Sequence, residues 1–144
     1  MSRRTARERV IQALYECEFH PDEETDVIRT RGEKLEQEDH AFYLRLAQGV
    51  REHQATIDPV IERHLKEGWS LARISSVDRA IMRLAVYELM HEVDTPRAAI
   101  LNEAVDLAKA FGGVESGRFV NGVLGRLVAD LPPQQQVDNQ EINS

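Results

Sequence analysis

Residues 75–89, SSVDRAIMRLAVYEL, carry the clearest indication of the fold class. Apolar residues recur in it at steps of three and four, which is the period of one face of an amphipathic α-helix. Ser75 and Asp78 have the spacing of a capping box, with Asp in the place of the usual Glu, so we predict that the helix begins there. Its apolar face consists of Val77, Ile81, Leu84, Ala85 and Leu89.

The helical period continues toward the N-terminus and predicts four more helices, at residues 3–19, 22–37, 38–56 and 58–68. The last of these is expected to begin at Asp58-Pro59, an N-cap followed by a proline in the first turn. Gly68 is expected to close it. In the connection that follows, three apolar side chains are expected to point inward: Trp69, Leu71 and Ile74.

Toward the C-terminus the same period predicts two further helices. One begins at Thr95-Pro96 and is ended by Gly112-Gly113, and the other is capped by Ser116 and stopped by Pro132-Pro133. Because no alternating strand pattern occurs, we predict an all-α fold, a compact domain of about seven helices at residues 1–131 with a disordered tail at residues 132–144. A chain of 144 residues can bury a sufficient core without disulfides or metals.

Charge is distributed unevenly along the chain. The formal net charge is −7, which argues against attraction of nucleic acid over the whole surface. The first nine residues nevertheless carry four arginines against Glu8 alone: Arg3, Arg4, Arg7 and Arg9. Residues 22–39 carry eight acids against three bases. A basic end on an acidic body is expected to hold a polyanion at one place.

The sequence offers little support for catalysis. The five histidines lack the spacing of a zinc site, and Glu88 with His91 supplies one Glu-x-x-His step where a di-iron bundle needs two. There is no Gly-rich phosphate loop after a strand and no Gly-x-Ser-x-Gly elbow. The single cysteine, Cys17, lies in an apolar stripe and is expected to be a small core residue of a cytoplasmic protein. The sequence contains no run of about 18 apolar residues, the length that is needed to cross a membrane.

The basic start has a helical arrangement, because Arg3 and Arg7 stand one turn apart with Arg4 beside them. Such a group can bind phosphate through its planar guanidinium groups, or it can be a solvated helix end, and composition leaves both open. Cations at a helix N-terminus oppose the macrodipole, which favours a functional reason. The amides at residues 115–118, which start the last helix, can also hold an anion. Phe119 beside them could stack on a base or belong to the core.

Four segments of the chain resemble the NusB family of bacterial transcription antitermination factors. They are the Arg-rich start with Gln12-Ala13-Leu14-Tyr15, VDRAIMRLAVYEL at 77–89, LNEAVDLAK at 101–109 followed by Phe111-Gly112, and FVNGVL at 119–124. They occur in the family's order and extend over about residues 3–131. The resemblance implies an all-helical fold built as two small bundles, with no cofactor and no metal.

The resemblance also implies a function. Proteins of this family bind the boxA segment of ribosomal-RNA and phage leader transcripts together with NusE, a small-subunit ribosomal protein, and the complex joins elongating RNA polymerase and suppresses termination. The RNA contacts expected in this chain are Arg3, Arg4, Arg7, Tyr15, Glu115, Ser116, Arg118 and Phe119, although Tyr15 could equally be a core residue. Asp78, at the start of the central helix, is the expected contact to NusE.

Three features depart from the family's pattern. Val114 stands where an acidic or polar residue is usual, Gly125 replaces a common Asp inside a helix at a cost of roughly 1 kcal/mol, and residues 22–37 have no match. Two other functions stay open at this point. One is a helical module that binds only proteins, and the other is a piece of an enzyme, because NusB-like domains also occur fused to RNA methyltransferases.

Overall fold

The structure is a computed structural model that describes residues 3–133. This part of the chain contains six α-helices: α1 (Arg3–Phe19), α2 (Glu24–Gly32), α3 (Gln37–Glu62), α4 (Ser76–His91), α5 (Arg97–Gly112) and α6 (Val114–Asp130). Two short 3₁₀ turns, Pro21–Glu23 and Leu71–Arg73, lie in the connections. Residues 3–133 contain no strand, so the predicted all-α class is confirmed. Most of the predicted tail, from residue 134 onward, lies outside the described residues.

Helix α4 is the centre of the packing. It contacts α1 and α3 on one side and α5 and α6 on the other. Every residue from Ala80 to Glu88 is buried, as a helix with neighbours on two sides requires. Helices α1, α2 and α3 pack on one another while α5 pairs with α6, so the two small bundles that were predicted share α4.

The break predicted at Asp58-Pro59 is wrong, because α3 runs through Pro59 without interruption and ends at Glu62. Proline removes one backbone hydrogen bond from a helix. Here Ile57 and Ile61, which are both fully buried, fix the helix in the core on either side of it. Asp58 does not cap a helix, since its carboxylate accepts hydrogen bonds from Arg83 Nε at 2.8 Å and Nη2 at 3.0 Å. The chain therefore has six helices in the described part where about seven were predicted.

The predicted start of α4 is confirmed, and that of α6 is not. The hydroxyl of Ser75 accepts a hydrogen bond from the backbone N–H of Asp78 at 3.1 Å. Ser116 is not the cap of α6, because that helix already begins at Val114 and places Ser116 in its first turn. The reason is Gly113, whose φ of 90° lets the chain pass from α5 into α6 with a single residue between them. The second helix is also shorter than predicted, Glu24–Gly32.

The connection from α3 to α4 differs from the prediction at one side chain. Leu71 and Ile74 are buried as expected, but Trp69 is 52% exposed. Cys17 is buried in the core, as predicted. None of the described helices has the length and apolar character needed to cross a bilayer.

Candidate nucleic-acid interface

Arg7 ties the start of α1 to α4. Its Nε and Nη2 donate hydrogen bonds to the carboxylate of Glu88 at 2.9 and 2.7 Å. The two side chains are only 11% and 3% exposed. Burial by itself would lower the pKa of Arg7, but the hydrogen bonds and charge of Glu88 outweigh it and raise that pKa. Arg7 therefore stays charged. Its Nε and Nη2 donors are used by Glu88, and Nη1 takes no part in these two hydrogen bonds.

Arg4 is held between two carboxylates and still faces solvent. Its Nε lies 3.7 Å from Glu8 on the next turn, and its Nη1 lies 3.4 Å from Glu103 of α5. The side chain remains 39% exposed. Ion pairs of this exposure contribute about 1 kcal/mol or less, so a phosphate can replace them at low cost.

Arg3 rests on an aromatic ring of α3. Its guanidinium carbon lies 4.1 Å from the ring centre of Phe42, a buried residue, while Arg3 itself is exposed. Arg7 and Arg45 approach the same ring at 5.1 and 5.3 Å. Such cation–π contacts fix the direction of a guanidinium group without neutralising it. Arg3 and Arg4 thus present charge at the beginning of α1, in a place set by Phe42 and Glu103.

A second group of predicted site residues lies where the N-termini of α4 and α6 meet. The hydroxyl of Ser116 donates a hydrogen bond to Asp78 Oδ2 at 3.4 Å. Asp78 is buried, and its Oδ1 has no hydrogen-bond partner within residues 3–133. Burial raises the pKa of Asp78, although the hydrogen bonds of Ser116 and Ser75 oppose this. A buried carboxylate oxygen without a donor is a place where a partner's donor would be stabilising.

The remaining predicted residues of α6 surround this junction. Arg118 and Glu115 form an exposed ion pair at 3.3 Å. Gly112 lets α5 end directly beneath Ser116, because a Cβ atom at Gly112 would overlap the Ser116 hydroxyl. Phe119 is half-buried, so it packs against the core and also contacts the exposed ring of Trp69 at a centroid distance of 6.0 Å.

Tyr15 lies farther along α1 on the same face as Arg4, about three turns away. Its ring is 41% exposed and meets Phe19 edge to face at 5.0 Å. Tyr15 is therefore at the surface, and the alternative that it belongs to the core is not what the structure shows.

The structure divides the predicted RNA-binding residues between two places. Arg7 pairs with Glu88 near the end of α4, whereas Glu18 at the end of α1 pairs with Arg79 near its start, so α1 and α4 are antiparallel. Asp78 and Glu88 are then separated by about 15 Å along the axis of α4. Arg3 and Arg4 lie at one end of this distance, and the α6 residues lie at the other. A bound ligand would have to be extended to reach both.

Sequence reasoning missed several residues that the structure places beside these two groups: Arg45, Trp69 and Arg73. Arg45 follows Phe42 by three positions, a spacing that brings side chains together on a helix, so its place beside Arg3 could have been inferred once the ring of Phe42 was known. The described residues contain no group of three or more His, Cys, Asp or Glu side chains able to hold a metal ion.

The comparisons with known proteins agree with one another. A family model described as the NusB family matches residues 4–129. The chain is 45% identical over 133 residues to the transcription antitermination protein NusB of Bacillus velezensis, which covers 91% of this chain and 98% of that protein.

Two solved structures are similar over nearly the whole chain. NusB of T. maritima has a TM-score of 0.87 and 36% identity, and the match covers 96% of this chain and 98% of the other. A chain from a crystal structure of antitermination factors NusB and NusE in complex with dsRNA has a TM-score of 0.81 and 26% identity, and the match covers 90% and 97% of the two chains.

Proposed function

The chain belongs to the NusB family, and we propose that it is a transcription antitermination factor that binds RNA together with NusE. Its ligand is a boxA-type single strand of a leader transcript, and through NusE it joins the RNA polymerase elongation complex during ribosomal-RNA synthesis. The protein acts by binding and not by catalysis, and we place this activity in the cytoplasm.

One observation carries the proposal for RNA. Arg3 and Arg4 present charged, partly exposed guanidinium groups together at the beginning of α1, on a chain whose formal net charge is −7. The negative remainder repels a polyanion from the other surfaces, so binding is favoured where these arginines stand. Arginine binds phosphate through a planar fork of donors, which suits both residues to backbone contacts.

A single strand fits the rest of the predicted surface better than a duplex. The exposed ring of Tyr15 and the half-buried ring of Phe119 can stack only on bases that are unpaired. The solved neighbour complex contains dsRNA, and phosphate contacts of the kind proposed for Arg3 and Arg4 would serve either form. The α6 residues Glu115, Ser116 and Arg118 complete the proposed RNA surface, and Arg7 supports it from its pair with Glu88.

Asp78 is the proposed contact to NusE. Its Oδ1 is buried without a hydrogen-bond donor in the described part of the chain, and it lies at the junction of α4, α5 and α6. A donor from NusE would form a charge-assisted hydrogen bond there.

The experiment is a gel shift of a boxA-type RNA oligonucleotide with and without NusE, comparing the unsubstituted chain with the Arg3→Ala/Arg4→Ala variant. Two charge-assisted contacts at about 1.5 kcal/mol each correspond to a loss of RNA affinity of about a hundredfold. Binding of NusE alone is expected to be unchanged. Arg29→Ala is the matched control, because Arg29 is an exposed arginine whose ion pairs within residues 3–133 are with its helix neighbours Asp26 and Glu33.

Equal RNA affinity in the double variant and the control would contradict the proposed arginine contacts. Binding of NusE without any RNA shift, in the unsubstituted chain, would instead support the helical module that binds only proteins.

A further inference from the structure

Trp69 is an exposed indole that sequence reasoning expected to be buried. It is the only tryptophan of the chain and 52% of it is accessible to solvent. The residue lies in the connection between α3 and α4, outside the residues predicted to contact RNA or NusE. Tryptophan combines a large apolar face with a polar edge, which makes it a frequent contact residue in interfaces.

The segment that leads to Trp69 is attached to α6 at His64. Gly68 has a φ of 91°, a conformation that L side chains rarely adopt, and it turns the chain just before Trp69. Arg126 of α6 donates from Nε and Nη2 to the carbonyl oxygen of His64 at 3.1 and 2.9 Å. His64 Nε2 also lies 2.7 Å from Asp130 at the end of α6. The indole therefore extends from an anchored segment.

An aromatic ring and a cation stand beside the indole. The ring of Phe119, a predicted RNA contact, lies 6.0 Å from that of Trp69 with an angle of 49° between their planes. The guanidinium carbon of Arg73 lies 5.7 Å from the Trp69 ring centre. Arg73 is exposed, and its Nη1 donates to the carbonyl oxygen of Gly68 at 2.6 Å, which holds the guanidinium group close to the indole.

The local charge indicates the chemistry of the ligand. Residues 63–73 carry three cations, Arg63, Lys66 and Arg73, against the single acid Glu67, in a chain that is negative overall. An aromatic surface with a cation beside it suits single-stranded nucleic acid, because bases stack on the rings while a phosphate contacts the charge. These observations favour RNA over an uncharged protein surface.

We propose that Trp69 stacks on an unpaired base of the bound RNA, with Phe119 beside it and Arg73 facing an adjoining phosphate. This inference rests on the proposed function and extends its RNA surface from α6 onto the connection before α4. The strand would then be held by phosphate contacts at Arg3 and Arg4 and by a stacked base at the opposite end of α4.

The test uses the tryptophan as its own probe. The full chain is titrated with a single-stranded boxA-type RNA oligonucleotide in the presence and absence of NusE, and indole emission is recorded. The Trp69→Phe chain, which has no indole, supplies the background, so that any emission from NusE is subtracted. Stacking on a base is expected to quench the Trp69 emission in proportion to the RNA bound.

Affinity is measured in parallel by gel shift. Trp69→Ala is expected to weaken RNA binding by about 5- to 150-fold, the range that loss of one stacked base gives, whereas Trp69→Phe keeps most of the affinity. Val93→Ala is the control, because Val93 is an exposed apolar residue in the turn at the far end of α4. A series of RNA oligonucleotides, each with one abasic position, identifies the stacked base. Removing that base should lower the RNA affinity of the unsubstituted chain but not that of the Trp69→Ala chain.

The outcomes separate this inference from the proposed function. The stacking proposal is overturned, while the proposed function stands, if two results are found together. RNA binds to the Trp69→Ala chain with normal affinity, and RNA binding leaves the indole emission of the unsubstituted chain unchanged. If emission changes on addition of NusE alone, and only NusE affinity falls in Trp69→Ala, the residue belongs to a protein interface and the proposal is also overturned. If the unsubstituted chain binds no RNA even with NusE, the proposed function fails together with the inference.

Discussion

The guanidinium group of Arg7 and the carboxylate of Glu88 form a two-bond ion pair between residues 81 positions apart, with hydrogen bonds of 2.9 and 2.7 Å. The pair joins the beginning of α1 to the end of α4, the helix around which the others pack. It therefore sets where the exposed charges of Arg3 and Arg4 stand relative to α3 and α5. Of the arginines at the start of α1, Arg7 therefore stabilises the fold, whereas Arg3 and Arg4 present charge to a ligand.

Arg7→Ala is expected to destabilise the protein strongly. Both side chains are nearly buried, and the substitution would leave the Glu88 carboxylate without its partner, which costs about 3–5 kcal/mol. The free energy of unfolding, measured by urea titration, gives this loss directly. Arg29→Ala, which removes an exposed arginine, is expected to change stability by about 1 kcal/mol or less. A denaturation midpoint equal to that of the unsubstituted chain would show that the pair is not formed.

Asp78→Asn is expected to separate folding from partner binding. Burial raises the pKa of Asp78, so folding disfavours its charged form. That cost is absent below about pH 3.8, where the carboxyl is protonated in both states, and is complete once the pH exceeds the raised folded pKa. At pH 7 the amide should therefore give equal or greater stability in urea.

The affinity for NusE is expected to fall about tenfold or more in Asp78→Asn, because a charge-assisted hydrogen bond is lost. Calorimetric titration with NusE measures this. Asp106→Asn, at an exposed position of α5, serves as the control. Unchanged NusE affinity in Asp78→Asn would remove Asp78 from the partner interface.

Protonation of His91, at the contact between α3 and α4, is expected to weaken the fold in mild acid. The rings of His53 and His91 lie 4.3 Å apart, and Tyr87 stacks on His91 at 4.8 Å. Burial and then the neighbouring His53 lower the pKa of His91, against the opposing charge of Glu92. Because the folded pKa of His91 is lowered, its contribution to the free energy of unfolding is present above about pH 6.5 and is lost as the pH falls through the folded pKa.

The measurement compares His91→Gln with the unsubstituted chain in urea at pH 7.5 and pH 5.5. The stability difference between the two chains should shrink or reverse at the lower pH, because glutamine does not titrate. A difference that is constant across this interval would contradict the contribution assigned to His91.

The helices could be predicted from the sequence because their buried faces are local patterns. Residues 75–89 show this best: the cap at Ser75 and the apolar spacing after it are both observed. Pro59 was misjudged for the opposite reason. Its helix persists through contacts of Ile57 and Ile61 with parts of the chain that are distant in sequence, and no local pattern contains them.

The sequence could propose candidate site residues but could not predict how they are arranged. The sequence singled out Arg7 as a phosphate contact and Glu88 as half of a metal motif, and only the antiparallel register of α1 and α4 shows that the two bind each other. Trp69 was expected inward because it is apolar. Its direction depends on the backbone turn at Gly68 and on the attachment of the segment to α6, which composition does not reveal.

If Arg3 and Arg4 contact RNA phosphates, the salt dependence of RNA affinity will report those contacts. With three or four phosphate contacts in all, the unsubstituted chain should lose affinity roughly 20- to 50-fold between 50 and 200 mM salt. The Arg3→Ala/Arg4→Ala chain should lose only about 3- to 7-fold, because each missing contact lowers the logarithmic slope by about 0.7. Equal slopes for the two chains would show that Arg3 and Arg4 do not contact phosphates.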